Sequence, residues 1–101
     1  MAEIDLAESE DVRPLVGVLV REQRATEGLR MASALSLGDN DVEVILTGSS
    51  LSQDEEVDLH LDSLDLEEVA VFATFADPRV EQTQWSELAR RIVGYDHVIT
   101  F

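Results

Sequence analysis

Residues 26–48 of this chain, TEGLRMASALSLGDNDVEVILTG, pass directly from a helical pattern into a strand pattern. Thr26 stands where it can cap a helix, and the apolar residues from Leu29 onward recur at helical spacing. Gly38 follows as the expected helix end, in the left-handed conformation that glycine adopts easily. Residues 42–47 then form a β-branched run that is typical of a strand. This succession indicates an α/β fold.

The segment that follows this strand fits both the alternation of a strand and the apolar spacing of a helix. Ser52 and Glu55 fit a capping box, and further acidic residues occupy the first turn, where the helix dipole favours them. These signals favour a helix over residues 53–64. A third helix is predicted after Thr83, which would cap it, with Gly94 as its end.

Three more apolar runs have the length of strands, and they cover residues 15–20, 69–74 and 96–101. Strands and helices then alternate, which predicts an α/β fold with a single-domain doubly wound sheet, mostly parallel, of about four to five strands with helices on both faces. A flavodoxin-like strand order, 2-1-3-4, is our working hypothesis. The domain would cover residues 13–101, after an acidic, flexible N-terminal tail at residues 1–12.

The net charge of -15 arises from 22 acidic residues against seven arginines. Such a charge repels nucleic acids and anionic membranes, so neither is an expected partner. The N-terminal segment has no cationic side chain before Arg13, unlike a secretory or mitochondrial leader, and no apolar run approaches the roughly 20 residues of a membrane span. We therefore expect a cytoplasmic protein.

Residues 26–46, residues 54–66 and the closing sequence IVGYDHVITF resemble the DsrE/DsrF/DsrH-like family of small α/β proteins, which includes the TusB, TusC and TusD components of sulfur relay. The resemblance implies assembly as a homo-oligomer or beside a family paralogue. In sulfur-carrying members a cysteine just after the third strand accepts a persulfide, and Thr74 stands near that position here. The chain has no cysteine, and a hydroxyl without an activating base cannot replace one. The resemblance thus implies a non-catalytic subunit.

Arginines follow two of the predicted strands, and parallel strands all end at the same edge of a sheet. Arg21 and Arg24 follow the first strand, and Arg79 follows the third. With the order 2-1-3-4 these arginines would border the crevice where the crossover direction reverses, with Ser49 and Thr74 at the same edge. An anion-binding module is therefore our alternative hypothesis. The competing interpretation is that the arginines pair with neighbouring acids, namely Glu22, Glu27, Asp77 or Glu81.

Trp85 and Phe75 are predicted anchors for a partner subunit, because aromatic residues are enriched in interfaces, with core packing as the alternative. Neither His60 nor His97 has a second histidine at ligand spacing, so no metal site is predicted. No glycine-rich phosphate loop and no nucleophile with a positioned base occurs, so neither a cofactor nor an enzymatic activity is predicted. A non-catalytic assembly subunit is our leading hypothesis.

Overall fold

The computed structural model describes residues 13–101, and the predicted acidic tail at residues 1–12 lies outside this range. In chain order the elements are β1 (Leu15–Arg21), a 3-10 turn (Glu22–Arg24), α1 (Ala25–Leu37), β2 (Asp41–Thr47), α2 (Glu55–Leu66), β3 (Ala70–Ala73), β4 (Glu81–Gln82), α3 (Trp85–Gly94) and β5 (His97–Thr100). The five strands form one sheet, parallel throughout. The predicted α/β class is confirmed. None of the helices in this range is long and apolar enough to cross a membrane.

Two helices cover one face of the sheet, and one helix covers the other. α1 and α2 pack side by side on the face that carries Val16, Val18 and Val20, which we call the helix-pair face. The opposite face, which we call the α3 face, has a smaller core formed by Ile45, Phe72 and Leu88. Apolar burial is therefore extensive on the helix-pair face and limited on the α3 face.

Two glycines allow the helices to approach β1 closely. A Cβ atom on Gly28 would collide with the side chain of Val20, so α1 lies directly against β1. A Cβ atom on Gly17 would collide with the ring of Tyr95, which follows α3 on the opposite face. β1 is thus enclosed by close contacts from both sides.

The expected strand order 2-1-3-4 is wrong. The observed order is β4-β3-β2-β1-β5, so β2 separates β1 from β3. The reason is that α1 and α2 lie on the same face, and two right-handed crossovers on one face move the chain twice in the same direction. α3 then returns on the opposite face and places β5 beside β1. The sequence analysis did not predict β4, the short strand that continues the sheet beyond β3.

The helix ends differ from their predicted caps. Gly38 has φ -84° and is not left-handed. Its backbone N–H and the Asn40 side chain both donate to the carbonyl oxygen of Leu35, at 3.2 and 3.1 Å. α2 begins at Glu55, after Asp54, and makes no side-chain cap. Ser52 is not the cap, because the helix starts two residues too late for it, and its carbonyl oxygen accepts a hydrogen bond from Arg79 at 2.9 Å. The predicted helix is confirmed although its predicted cap is not, and α2 buries Val57, Leu61 and Leu64, which follow helical spacing.

Candidate functional site

An open crevice of about 310 Å³ lies at the carboxyl end of the sheet, between the ends of β1 and β5. Its lining residues are Leu19, Arg21, Arg24, Thr47, Thr100 and Phe101. β1 and β5 are the neighbouring strands between which the crossover direction reverses, since α1 and α2 carry the chain away from β5 and α3 brings it back. Open α/β sheets bind their ligands at this position. We call it the β1/β5 crevice.

Arg21, the last residue of β1, connects the two strand ends. Its backbone N–H donates to the main-chain oxygen of Phe101 at 3.0 Å, and its Nε donates to the same oxygen at 3.1 Å. Phe101 is the last residue of the sequence, so this oxygen belongs to its main-chain carboxyl group. No Asp or Glu side chain among residues 13–101 pairs with the exposed guanidinium of Arg21. The Arg21 side chain is therefore anchored through Nε to the end of β5.

Arg24 also lines the β1/β5 crevice but has its own counter-charge. Its Nη2 donates to Glu27 Oε2 at 2.9 Å, and its Nε donates to the other oxygen of the same carboxylate. These hydrogen bonds raise the pKa of Arg24 and lower that of Glu27. The competing interpretation from the sequence, pairing with a neighbouring acid, is thus confirmed for Arg24.

Glu22 follows Arg21 in the chain, yet its carboxylate is directed to the loop after β2. It accepts hydrogen bonds from the backbone N–H of Ser49 at 2.8 Å and from the hydroxyls of Ser49 and Ser50 at 3.2 and 3.4 Å. The backbone N–H of Ser49 is the main cause that lowers the pKa of Glu22. Glu22 therefore does not pair with its neighbour Arg21.

The prediction that Arg79 joins Arg21 and Arg24 at one crevice is wrong. Arg79 donates from Nε and Nη2 to the carboxylate of Asp77 at 2.9 and 2.7 Å. It also donates to Asp58 and to the carbonyl oxygens of Leu51 and Ser52. Its donors are committed to joining the loop after β3 to the start of α2. With β2 between β1 and β3, this loop does not line the β1/β5 crevice.

The two hydroxyl residues predicted for the ligand edge are not among the crevice lining. Ser49 is held by Glu22, as described above. Thr74 follows β3, and its buried Oγ1 has no hydrogen-bond partner in the described residues. No base therefore contacts the Thr74 hydroxyl in this part of the chain. Residues 13–101 contain no group of three or more His, Cys, Asp or Glu side chains that could hold a metal ion.

The two predicted anchors lie in different environments. Phe75 is only 7% exposed and belongs to the core of the helix-pair face, so the prediction that it is an exposed anchor is wrong. Trp85 is 64% exposed at the start of α3. Ala89 and Val93 follow it at intervals of four residues and share its flank of the helix, and Val93 is 85% exposed. We call Trp85, Ala89 and Val93 the α3 flank.

The α3 face of the sheet is incompletely covered beside this flank. Val98 on the edge strand β5 pairs in register with Gly17, which faces Tyr95, so its side chain projects to the α3 face. It is 43% exposed. Leu19, on the same face of β1, is partly exposed. One helix is too narrow to cover five strands, and the uncovered part is at β1 and β5.

Sequence reasoning found Arg21 and Arg24 but missed the other residues of the crevice. Leu19 and Thr47 belong to strands that were predicted correctly, as does Thr100. These residues lie together only because β5 is the neighbour of β1 in the sheet, and no local sequence pattern predicts that neighbour. The sequence therefore predicted which residues lie at strand ends, but not which of those ends are adjacent.

Comparison of the chain with known protein families, with curated proteins and with solved structures finds no match in any of the three. Membership of the DsrE-like family stays a prediction from the residues quoted above.

Proposed function

We propose that this protein is a non-catalytic subunit that acts by assembling with a second copy of itself through the α3 face. The observation that carries the proposal is the set of exposed apolar residues on the α3 face of the molecule, namely the α3 flank and Val98 on the edge strand. Tryptophan at the centre of an interface contributes strongly to binding, and apolar residues around it exclude water.

The distribution of charge supports a second copy as the partner. Residues 54–68, which include α2, contain eight acidic residues and no arginine. Residues 84–101, which include α3 and β5, contain two acids and two arginines. Two chains of charge -15 repel each other less when these nearly neutral segments meet than when the acidic segments around α2 meet. The apolar surface thus lies in a nearly neutral part of the described chain.

The lack of a catalytic constellation supports a binding role. The chain has no cysteine for persulfide transfer. The Ser49 hydroxyl contacts a carboxylate, but the lowered pKa of Glu22 makes that carboxylate a weaker base. The resemblance to DsrE-like proteins, in which some subunits lack the cysteine, extends the proposal to a sulfur-transfer context.

Sedimentation equilibrium of the full chain over 1–200 μM tests the assembly. We expect the mean mass to rise with concentration, and we expect Val93→Arg to weaken self-association at least about tenfold. Leu59→Arg is the matched control, because Leu59 is also well exposed but lies on the acidic helix α2. A strict monomer at every concentration, or equal effects of the two substitutions, would contradict the proposal.

A further inference from the structure

We propose that a groove between α2 and the β3–β4 edge of the sheet binds a short cationic, amphipathic polypeptide segment of a partner protein. We call it the α2/β4 groove. It lies on the helix-pair face, because Val71 and Val80 in its lining pack against the core of that face. The inference therefore goes beyond the assembly proposal, which concerns the opposite face of the sheet.

The α2/β4 groove consists of two adjoining open cavities of about 250 and 590 Å³, which share Leu61, Asp65 and Arg79. The edge strand β4 has only two residues, and the neighbouring Val71 and Val80 are only partly buried. A partner that covers them removes their remaining apolar surface from water. The apolar residues that line the first cavity are Leu61, Val69, Ala70, Val71, Pro78 and Val80.

The wall that α2 contributes to the groove is negatively charged. Asp58, Asp62 and Asp65 line the second cavity and follow one another at intervals of four and three residues, so they share one flank of the helix. Arg79, the cation in the lining, is already bound to two carboxylates. Asp62 and Asp65 are exposed, and the ion pairs within residues 13–101 include neither of them.

Charge complementarity identifies the partner as cationic. Lysine or arginine side chains from outside can pair with Asp62 and Asp65, whereas a second copy of this chain would bring a charge of -15 to an acidic surface. The apolar lining of the first cavity favours apolar side chains next to those cations. Asp58 to Asp65 covers about 10 Å along the helix axis, which equals about three residues of extended chain, so the segment that fits is short.

Titration of the ¹⁵N-labelled full chain with a capped hexapeptide that alternates leucine and lysine, followed by amide NMR shifts, tests the proposal. We expect saturable shifts at residues 58–65 and 78–81. The double variant Asp62→Asn, Asp65→Asn should weaken binding of this peptide about fivefold or more, because it removes both carboxylates that lack an arginine partner.

The matched control is the double variant Asp39→Asn, Glu55→Gln, which removes two charges from exposed positions outside the groove lining. It should change the affinity less than about twofold. A hexapeptide that alternates serine and lysine has the charge without the apolar side chains and should bind several-fold more weakly than the leucine–lysine peptide. The proposal is overturned if the leucine–lysine peptide shifts none of these amides, if the two double variants weaken its binding equally, or if the serine–lysine peptide binds as tightly.

Discussion

Arg79 shows how a charged residue in a very acidic chain can be structural. The Asp77 side chain is only 7% exposed and is compensated by two charged hydrogen bonds from Arg79. The same guanidinium binds two carbonyl oxygens before α2. Removing one partner from such a buried pair leaves an uncompensated charge, which is more costly than losing a surface ion pair.

We expect Arg79→Ala to lower the free energy of unfolding by about 3 kcal/mol, measured by urea denaturation at neutral pH. Arg30→Ala, at an exposed position on α1, should change it by less than about 0.5 kcal/mol. Equal stabilities of the two variants would show that the Arg79 contacts contribute little.

The Asp77–Arg79 pair also predicts how the free energy of unfolding depends on pH. Hydrogen bonding from Arg79 is the main cause that lowers the pKa of Asp77 from its ordinary value of 3.8. A lowered folded pKa means that the stabilisation is present above 3.8 and is lost as the pH falls through the folded value. The stability difference between the unchanged chain and Arg79→Ala should therefore shrink below this pH.

At the scale of elements, α3 is attached to the sheet by a small polar network. Tyr95 donates its hydroxyl to Glu43 Oε1 at 2.9 Å, and Arg91 donates to the same oxygen at 3.0 Å. The Arg91 guanidinium also lies 4.1 Å from the centre of the Phe72 ring. These contacts connect the end of α3 to β2 and β3, where the apolar core of the α3 face is small.

Tyr95 makes this attachment sensitive to alkali. Burial and the hydrogen bond to Glu43 raise its pKa well above the ordinary value of 10.0. Stability from a raised pKa is present below the unfolded value and declines as the pH rises through the folded one. We expect the unfolding midpoint in urea to fall above about pH 10 more steeply in the unchanged chain than in Tyr95→Phe.

Because Tyr95 is the chain's one tyrosine, tyrosinate absorbance measures its ionisation directly. Ionisation at the ordinary pH in the folded chain would contradict this account. A matching alkaline decline in Tyr95→Phe would assign the pH effect to other groups.

The close packing of α1 on β1 predicts that a larger residue at Gly28 will destabilise the fold. Gly28→Ala should lower the free energy of unfolding by about 1–3 kcal/mol, because the added methyl group would overlap Val20 and this outweighs the better helix propensity of alanine. Gly94→Ala is the control, since nothing lies within 4 Å of the added atom at the end of α3. It should be neutral or slightly stabilising in urea denaturation. Stabilisation of both variants would show that α1 can move away from β1.

For the whole molecule, the dominant property is its charge of -15. Mutual repulsion of the acids is relieved on unfolding, because the charges move apart, and salt screens it in the folded state. We expect the thermal midpoint to rise between 0.01 and 1 M KCl. The self-association proposed for the α3 face should strengthen over the same range, as sedimentation would show. A midpoint that falls with salt would mean that attractive ion pairs outweigh this repulsion.

The fold class was predictable because it depends on local periodicity. The strands and the helical spacing of Val57, Leu61 and Leu64 are properties of neighbouring residues, and the structure confirms them. The caps were less predictable. Ser52 and Thr83 are residue types that often cap helices, yet neither is a cap here. The carbonyl oxygen of Ser52 binds Arg79 before the helix begins, and Thr83 is buried.

The sequence by itself therefore determined the α/β class, the net charge of the chain and the absence of a cysteine. Tertiary structure decided which strands are neighbours, because right-handed crossovers move the chain according to the face on which each helix packs. That choice separated Arg79 from Arg21, placed β5 beside β1, and left part of the α3 face uncovered. The candidate sites depend on long-range packing of helices, which no local pattern in the chain encodes.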